Sequence, residues 1–112
     1  MKQPIKGLIL LFIACTMFAG CGEQVAEMNR HFIGVWCGND GVSSYSLSID
    51  NGSNGYWHQD NHGVFSTAQG VARIRHNKLY IGLRPFDILE YPMQDSLGKW
   101  TINLSGVVYQ KQ

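Results

Sequence analysis

A chain of 112 residues with nine Lys and Arg against eight Asp and Glu is close to neutral, at +1. That balance, with no basic stripe, excludes a nucleic-acid surface built on phosphate neutralisation. The length allows one small domain behind any leader, and three cysteines are too few for a disulfide scaffold.

The first element in chain order is a leader. Lys2 and Lys6 supply a short positive region, and an apolar run follows from Gly7 to Gly20. A membrane span needs about 20 apolar residues, whereas the apolar region of a signal peptide needs about 7–15, so the run fits the second. An ordinary secretory signal and a buried core helix are the alternatives; the run has no polar face, and nothing later in the chain is suited to cover it. Phe18-Ala19-Gly20-Cys21 then places an apolar residue and two small residues before a cysteine. This resembles the lipobox of bacterial lipoproteins, though with Phe18 where leucine is usual. The resemblance implies cleavage between Gly20 and Cys21 and a diacylglyceryl group on the Cys21 thiol. It also implies a bacterial envelope location, anchored to the membrane through that lipid. Gly22 follows the cysteine where some such proteins carry an inner-membrane retention aspartate, so an outer-membrane destination is favoured where the cell has one. At about 0.8 kcal/mol per buried methylene, two or three acyl chains hold far more firmly than one.

Removal of residues 1–20 takes away Lys2 and Lys6 and leaves seven basic against eight acidic residues, a net charge of −1. The remainder divides into a lipidated cysteine and tether, 21–30, and a domain, 31–112. Within the tether, Val25, Met28 and Phe32 fall at i, i+3 and i+7, the spacing of a turn or two of helix. Nine extended residues reach only about 30 Å, so the domain works close to the membrane surface. With Cys21 acylated, Cys37 has no internal partner and is expected to be a small buried hydrophobe beside Trp36.

From Phe32 onward the apolar period is two. Tyr45, Leu47 and Ile49 alternate with Ser44, Ser46 and Ser48, and Trp100, Ile102 and Leu104 alternate with Thr101 and Asn103. Such alternation predicts strands buried on one face and wet on the other. Turn chemistry at Asp50–Gly55, His76-Asn77-Lys78, Arg84-Pro85 and Ser105-Gly106 separates them. The predicted strands cover 32–37, 44–50, 55–60, 64–68, 70–76, 78–83, 86–91 and 99–109, the last bent at Ser105-Gly106. The predicted fold class is all-β: a small antiparallel meander of about eight short strands closing into a barrel, which removes the exposed edges.

Gly34-Val35-Trp36 on the first of these strands resembles the Gly-x-Trp signature of lipocalins and related small barrels. The runs Asn77-Lys78-Leu79-Tyr80-Ile81-Gly82, Tyr91-Pro92 and Gly98-Lys99-Trp100-Thr101 are similar to those of small lipocalin-like lipoproteins. The resemblance implies that Trp36 plugs one end of the barrel. The strands here are shorter than in true lipocalins, so a filled core is expected rather than an open calyx.

Candidate chemistry is sparse. On a continuing strand His58, Asp60 and His62 would share one face, a candidate two-histidine, one-carboxylate metal site. Asn61 and Gly63 favour instead a polar hairpin tip. Asp50–Gly55 partly echoes a calcium loop, but Gly52 and Asn61 stand where ligands belong, and a turn is expected. Arg73, Arg75 and Arg84 are expected on a solvated face. Tyr56, Trp57, Tyr80, Phe86, Tyr91 and Tyr109 are aromatics suited to a ligand mouth or a protein-binding surface, with Trp57, Tyr80 and Tyr91 as the candidate ligand-binding residues. No nucleophile elbow, phosphate loop or paired carboxylates occur, so no enzyme activity and no cofactor is expected.

The expected function is a non-enzymatic binding module for a small apolar or amphipathic ligand. The alternative is a protein-binding envelope adaptor or inhibitor, and a metal-binding protein comes third. An aromatic-lined cavity above about 300 Å³ marks the first, a solid core would sink it, and an exposed apolar patch larger than a few hundred Å² marks the second.

Overall fold

The computed structural model describes residues 23–25 and 29–112. The leader, the Gly20–Cys21 cleavage point and the lipidation site Cys21 lie outside the described residues. Among the described residues nine strands form one sheet: β1 Glu23–Gln24, β2 Gly34–Asn39, β3 Ser44–Ile49, β4 Asn54–Asn61, β5 Val64–Arg75, β6 Lys78–Ile81, β7 Arg84–Gln94, β8 Trp100–Leu104 and β9 Val107–Lys111. A 3-10 helix, Arg30–Phe32, precedes β2. All pairings are antiparallel, in the order β5-β4-β3-β2-β9-β8-β7-β6, and β6 returns to β5 to close an eight-stranded barrel. Short β1 adds outside the ring, pairing Glu23 with Ile74 and Gln24 with Arg73.

Several strand boundaries differ from the sequence expectation, each for a local reason. The segments 64–68 and 70–76 are one strand, because Gly70, at φ +149°, lets the backbone bend through the site without breaking it. The segment 99–109 is two strands, since Ser105 (φ +52°) and Gly106 (φ +93°) form a tight turn that folds Val107 back opposite Leu104. Phe32 belongs to the 3-10 helix, whose end meets the first strand at Gly34. Strand β7 runs on to Gln94 through Pro92, where the register with β8 slips between Glu90 and Met93. A bulge tolerates a residue with no N–H to give.

Period two decides what lies inside. Trp36, Leu47, Trp57, Ile81, Ile102 and Tyr109 are all fully or almost fully buried in one core. The interior is therefore filled by side chains, as expected. The Trp36 indole N–H donates to the Phe32 carbonyl at 2.9 Å, tying the 3-10 helix across one end. Lys111 Nζ lies 5.1 Å from the Trp36 ring and 5.8 Å from Trp100, and His31 stacks on Trp100 at 4.6 Å. This end is closed. The same alternation turns Cys37 outward: it is exposed, and its expected place as a buried hydrophobe is corrected. A neighbour of Trp36 on a strand necessarily points the other way.

Candidate functional site

The turns joining β2 to β3, β4 to β5, β6 to β7 and β8 to β9 gather at the end opposite Trp36, as an up-and-down barrel requires. This end is the mouth. It holds a cavity of about 180 Å³ lined by Tyr45, Trp57, Arg84, Phe86, Leu104 and Tyr109, with Gln59 at its edge. Two wider depressions, of about 430 and about 390 Å³, lie on the outer wall, one beside Tyr56 and Gln69 and the other beside Cys37 and Gln110. The mouth cavity is below the roughly 300 Å³ at which drug-sized ligand sites begin, so only a small group enters it.

The Arg84 guanidinium carbon sits 4.4 Å from the centre of the Trp57 ring and 5.7 Å from that of Phe86. Trp57 and Phe86 are themselves 5.2 Å apart. The Trp57 indole N–H donates to the Tyr109 hydroxyl at 3.0 Å. Burial, partly offset by the indole N–H, pushes the Tyr109 hydroxyl up to about 12, so it keeps its proton at any ordinary pH. A polar chain closes one side of the mouth. Gln59 Nε2 donates to the Ser43 hydroxyl at 3.2 Å and to the Tyr45 hydroxyl at 3.4 Å, and Tyr45 in turn donates to Asp40 Oδ2 at 2.7 Å. Asp40 Oδ1 accepts from the backbone N–H groups of Val42 and Ser43.

The Ser43 N–H, the Tyr45 hydroxyl and the Val42 N–H hold Asp40 at about 2, below its ordinary 3.8. A depressed carboxyl stabilises the fold fully above its unfolded value, and that contribution is lost as pH falls through the folded one. Asp50 is lowered too, chiefly by the Asn54 N–H, and acts in the same direction. The urea midpoint of the parent chain is therefore expected to drop between about pH 5 and about pH 2. Asp40→Asn, which keeps an acceptor but cannot titrate, is expected to flatten part of that drop. An unchanged pH profile in this variant would count against the Asp40 contacts.

The structure distributes the candidate residues widely. Of Trp57, Tyr80 and Tyr91, only Trp57 lines the mouth. Tyr80 stands between buried Leu79 and Ile81 and so faces outward. Tyr91 lies toward the closed end, its hydroxyl donating to Asn77 Oδ1 at 2.8 Å and its ring 6.1 Å from Phe32. His58 and Asp60 share the outer face of β4, where His58 stacks on Tyr56 and meets Phe65 at a tilt. His62 leaves that face because it sits in the turn, at φ +51°, with Asp60 Oδ1 accepting from the Gly63 N–H at 2.9 Å. Among the described residues no group of three or more His, Cys, Asp or Glu is placed to hold a metal ion. Asp50 caps its own turn, accepting from the N–H groups of Gly52 and Asn54, each at 2.9 Å.

Phe86 and Tyr109, both expected among the mouth aromatics, line the mouth beside Trp57, whereas Tyr45, Gln59 and Arg84 are mouth residues that motif and composition do not single out. Strand parity does carry a signal for them. Arg84 is in step with Phe86 and Ile88, Gln59 with Trp57, and Tyr45 with Leu47, each at an even spacing from a core position. Charge alone groups Arg84 with Arg73 and Arg75, which lie on the part of β5 that pairs with β6. Compared with protein-family models, with curated proteins and with solved structures, the chain has no match.

Proposed function

We propose that the chain is a bacterial envelope lipoprotein, anchored through a lipid on Cys21. Its lipocalin-like barrel is a non-enzymatic binding module that takes a small apolar or amphipathic ligand at its mouth. The observation that carries this reading is the aromatic-lined cavity at the mouth; at about 180 Å³ it falls short of the roughly 300 Å³ that marks such a module, and the filled core counts against it. A filled core rules out a large calyx ligand, and the reading is accordingly confined to a small one. Support for the lipocalin likeness comes from Gly34-Val35-Trp36, with Trp36 closing one end behind a 3-10 helix.

Support for the anchor comes from the leader pattern, Lys2 and Lys6, the apolar run and Phe18-Ala19-Gly20-Cys21; β1, the first described strand, begins at the closed end. Glu23 is in register with Ile74, near the His76-Asn77 turn at the closed end. In the cell, Cys21→Ser is expected to move the protein from the salt-washed membrane fraction to the soluble one, with the melting temperature of the domain unchanged. Retention of Cys21→Ser in salt-washed membranes would overturn the anchor.

One observation favours the alternative, a protein-binding adaptor or inhibitor. The mouth-end turns and their flanks expose Val42 (61%), Val64 (69%) and Leu83 (98%). Purification of the lipidated protein from its envelope, followed by mass spectrometry, separates the two. A small molecule bound one to one supports the ligand reading, and a stoichiometric protein supports the alternative.

A further inference from the structure

We infer that the mouth recognises the carboxylate of a small organic acid with an apolar body, through Arg84 and Tyr109 acting together. The inference rests on the mouth-binding reading above and names the chemical class of its ligand. Among the described residues the single ion pair is Lys78–Asp87, and the Arg84 side chain has no hydrogen-bond or ion-pair partner. Arg84 is exposed, with its guanidinium lying over the Trp57 and Phe86 rings, so the N–H donors of its planar fork face solvent at the rim with no protein acceptor among the described residues. The Tyr109 oxygen accepts from Trp57 Nε1, and its own proton meets no acceptor among the described residues. Two donors without acceptors thus line one cavity.

The neighbouring acid does not compete for them. Both Asp40 oxygens are occupied, by the Val42 and Ser43 N–H groups and by the Tyr45 hydroxyl. Asp40 does add a negative charge near the mouth, which disfavours a dianion such as phosphate against a monoanion. A guanidinium fork matches a planar carboxylate with two parallel bonds. Trp57, Phe86, Leu104 and Val107 form an apolar wall facing the polar Gln59 and Ser105, and about 180 Å³ suits a benzoate-sized body. A longer alkyl tail would cross the rim at Leu83 or Val64, the exposed apolar side chains of the mouth turns.

The test uses the full-length protein in detergent, titrated with benzoate and with neutral benzyl alcohol, and followed by tryptophan fluorescence and calorimetry. Benzoate is expected to bind more tightly than benzyl alcohol. Arg84→Gln is expected to weaken benzoate by about tenfold or more and Tyr109→Phe by a smaller factor, with benzyl alcohol unchanged. Arg73→Gln, away from the mouth, serves as the charge control and is expected to change neither. Equal binding of acid and alcohol by the parent chain would overturn the inference and leave the binding module standing. Full benzoate affinity in a folded Arg84→Gln variant would overturn it in the same way. Binding of neither probe removes both readings. Should Arg84→Gln fail to fold, the acid–alcohol comparison in the parent chain decides alone.

Discussion

Gly82→Ala is expected to lower the melting temperature by roughly 12–24 °C, equivalent to a loss of about 3 kcal/mol. Gly82 lies in the β6–β7 turn at φ +61°, where an L side chain is strained. An added Cβ would also overlap the Gln69 carbonyl oxygen and stand 3.2 Å from its carbon. These are backbone atoms of β5 and cannot rotate aside. Gly70 faces the same junction, since its Cβ would lie 2.6 Å from the Gly82 Cα. Two chain segments touch here without side chains between them, next to the β5–β6 pairing that closes the barrel. Gly63→Ala provides the comparison. Its φ of +87° is also left-handed, but nothing lies within 4 Å of an added Cβ. It is expected to cost only the backbone term, about 1 kcal/mol or roughly 4–8 °C. Equal losses in the two variants, measured by thermal unfolding followed by circular dichroism, would show that the β5–turn contact contributes nothing.

Trp36→Ala is expected to cost about 3–5 kcal/mol, a large share of a domain stability of the order of 5–15 kcal/mol. The indole is fully buried, so truncation leaves a cavity that eight paired strands cannot collapse to fill. The loss has a second part. The Phe32 carbonyl accepts from the indole N–H, and without it a backbone acceptor near the core is left unpaired. Trp36→Phe separates the two effects, keeping most of the ring volume while removing the donor. It is expected to lose about 1–3 kcal/mol, measured as a shift in urea midpoint at constant slope. If Trp36→Ala leaves the urea midpoint where it was, the plugged end is not what holds the barrel shut.

Much of the fold was legible because a strand writes its two faces into alternate positions. Tyr45-Ser46-Leu47-Ser48-Ile49 could bury its odd residues in only one way, and β3 does so. Ser105-Gly106, short and tolerant of positive φ, marked a hairpin at the position where one forms. The boundaries were less legible where backbone geometry alone decided them. Gly70 reads equally as a break or a bend, and only contact with Gly82 makes it a bend within one strand.

The sequence by itself determined an all-β chain, the alternating core and the pattern of leader, small residues and cysteine that points to an anchor. These depend on local periodicity and on near neighbours in the chain, which one sequence displays directly. Tertiary structure alone decided which aromatics meet. Trp57 joins Arg84 and Tyr109 from three different strands, while Tyr80 turns outward and Tyr91 goes to the other end. Closure and strand register set those distances, and no spacing along the chain encodes them. Tertiary placement likewise took Cys37 to the surface and His62 out of line with His58 and Asp60. The anchor at Cys21 remains a proposal carried by the leader pattern alone.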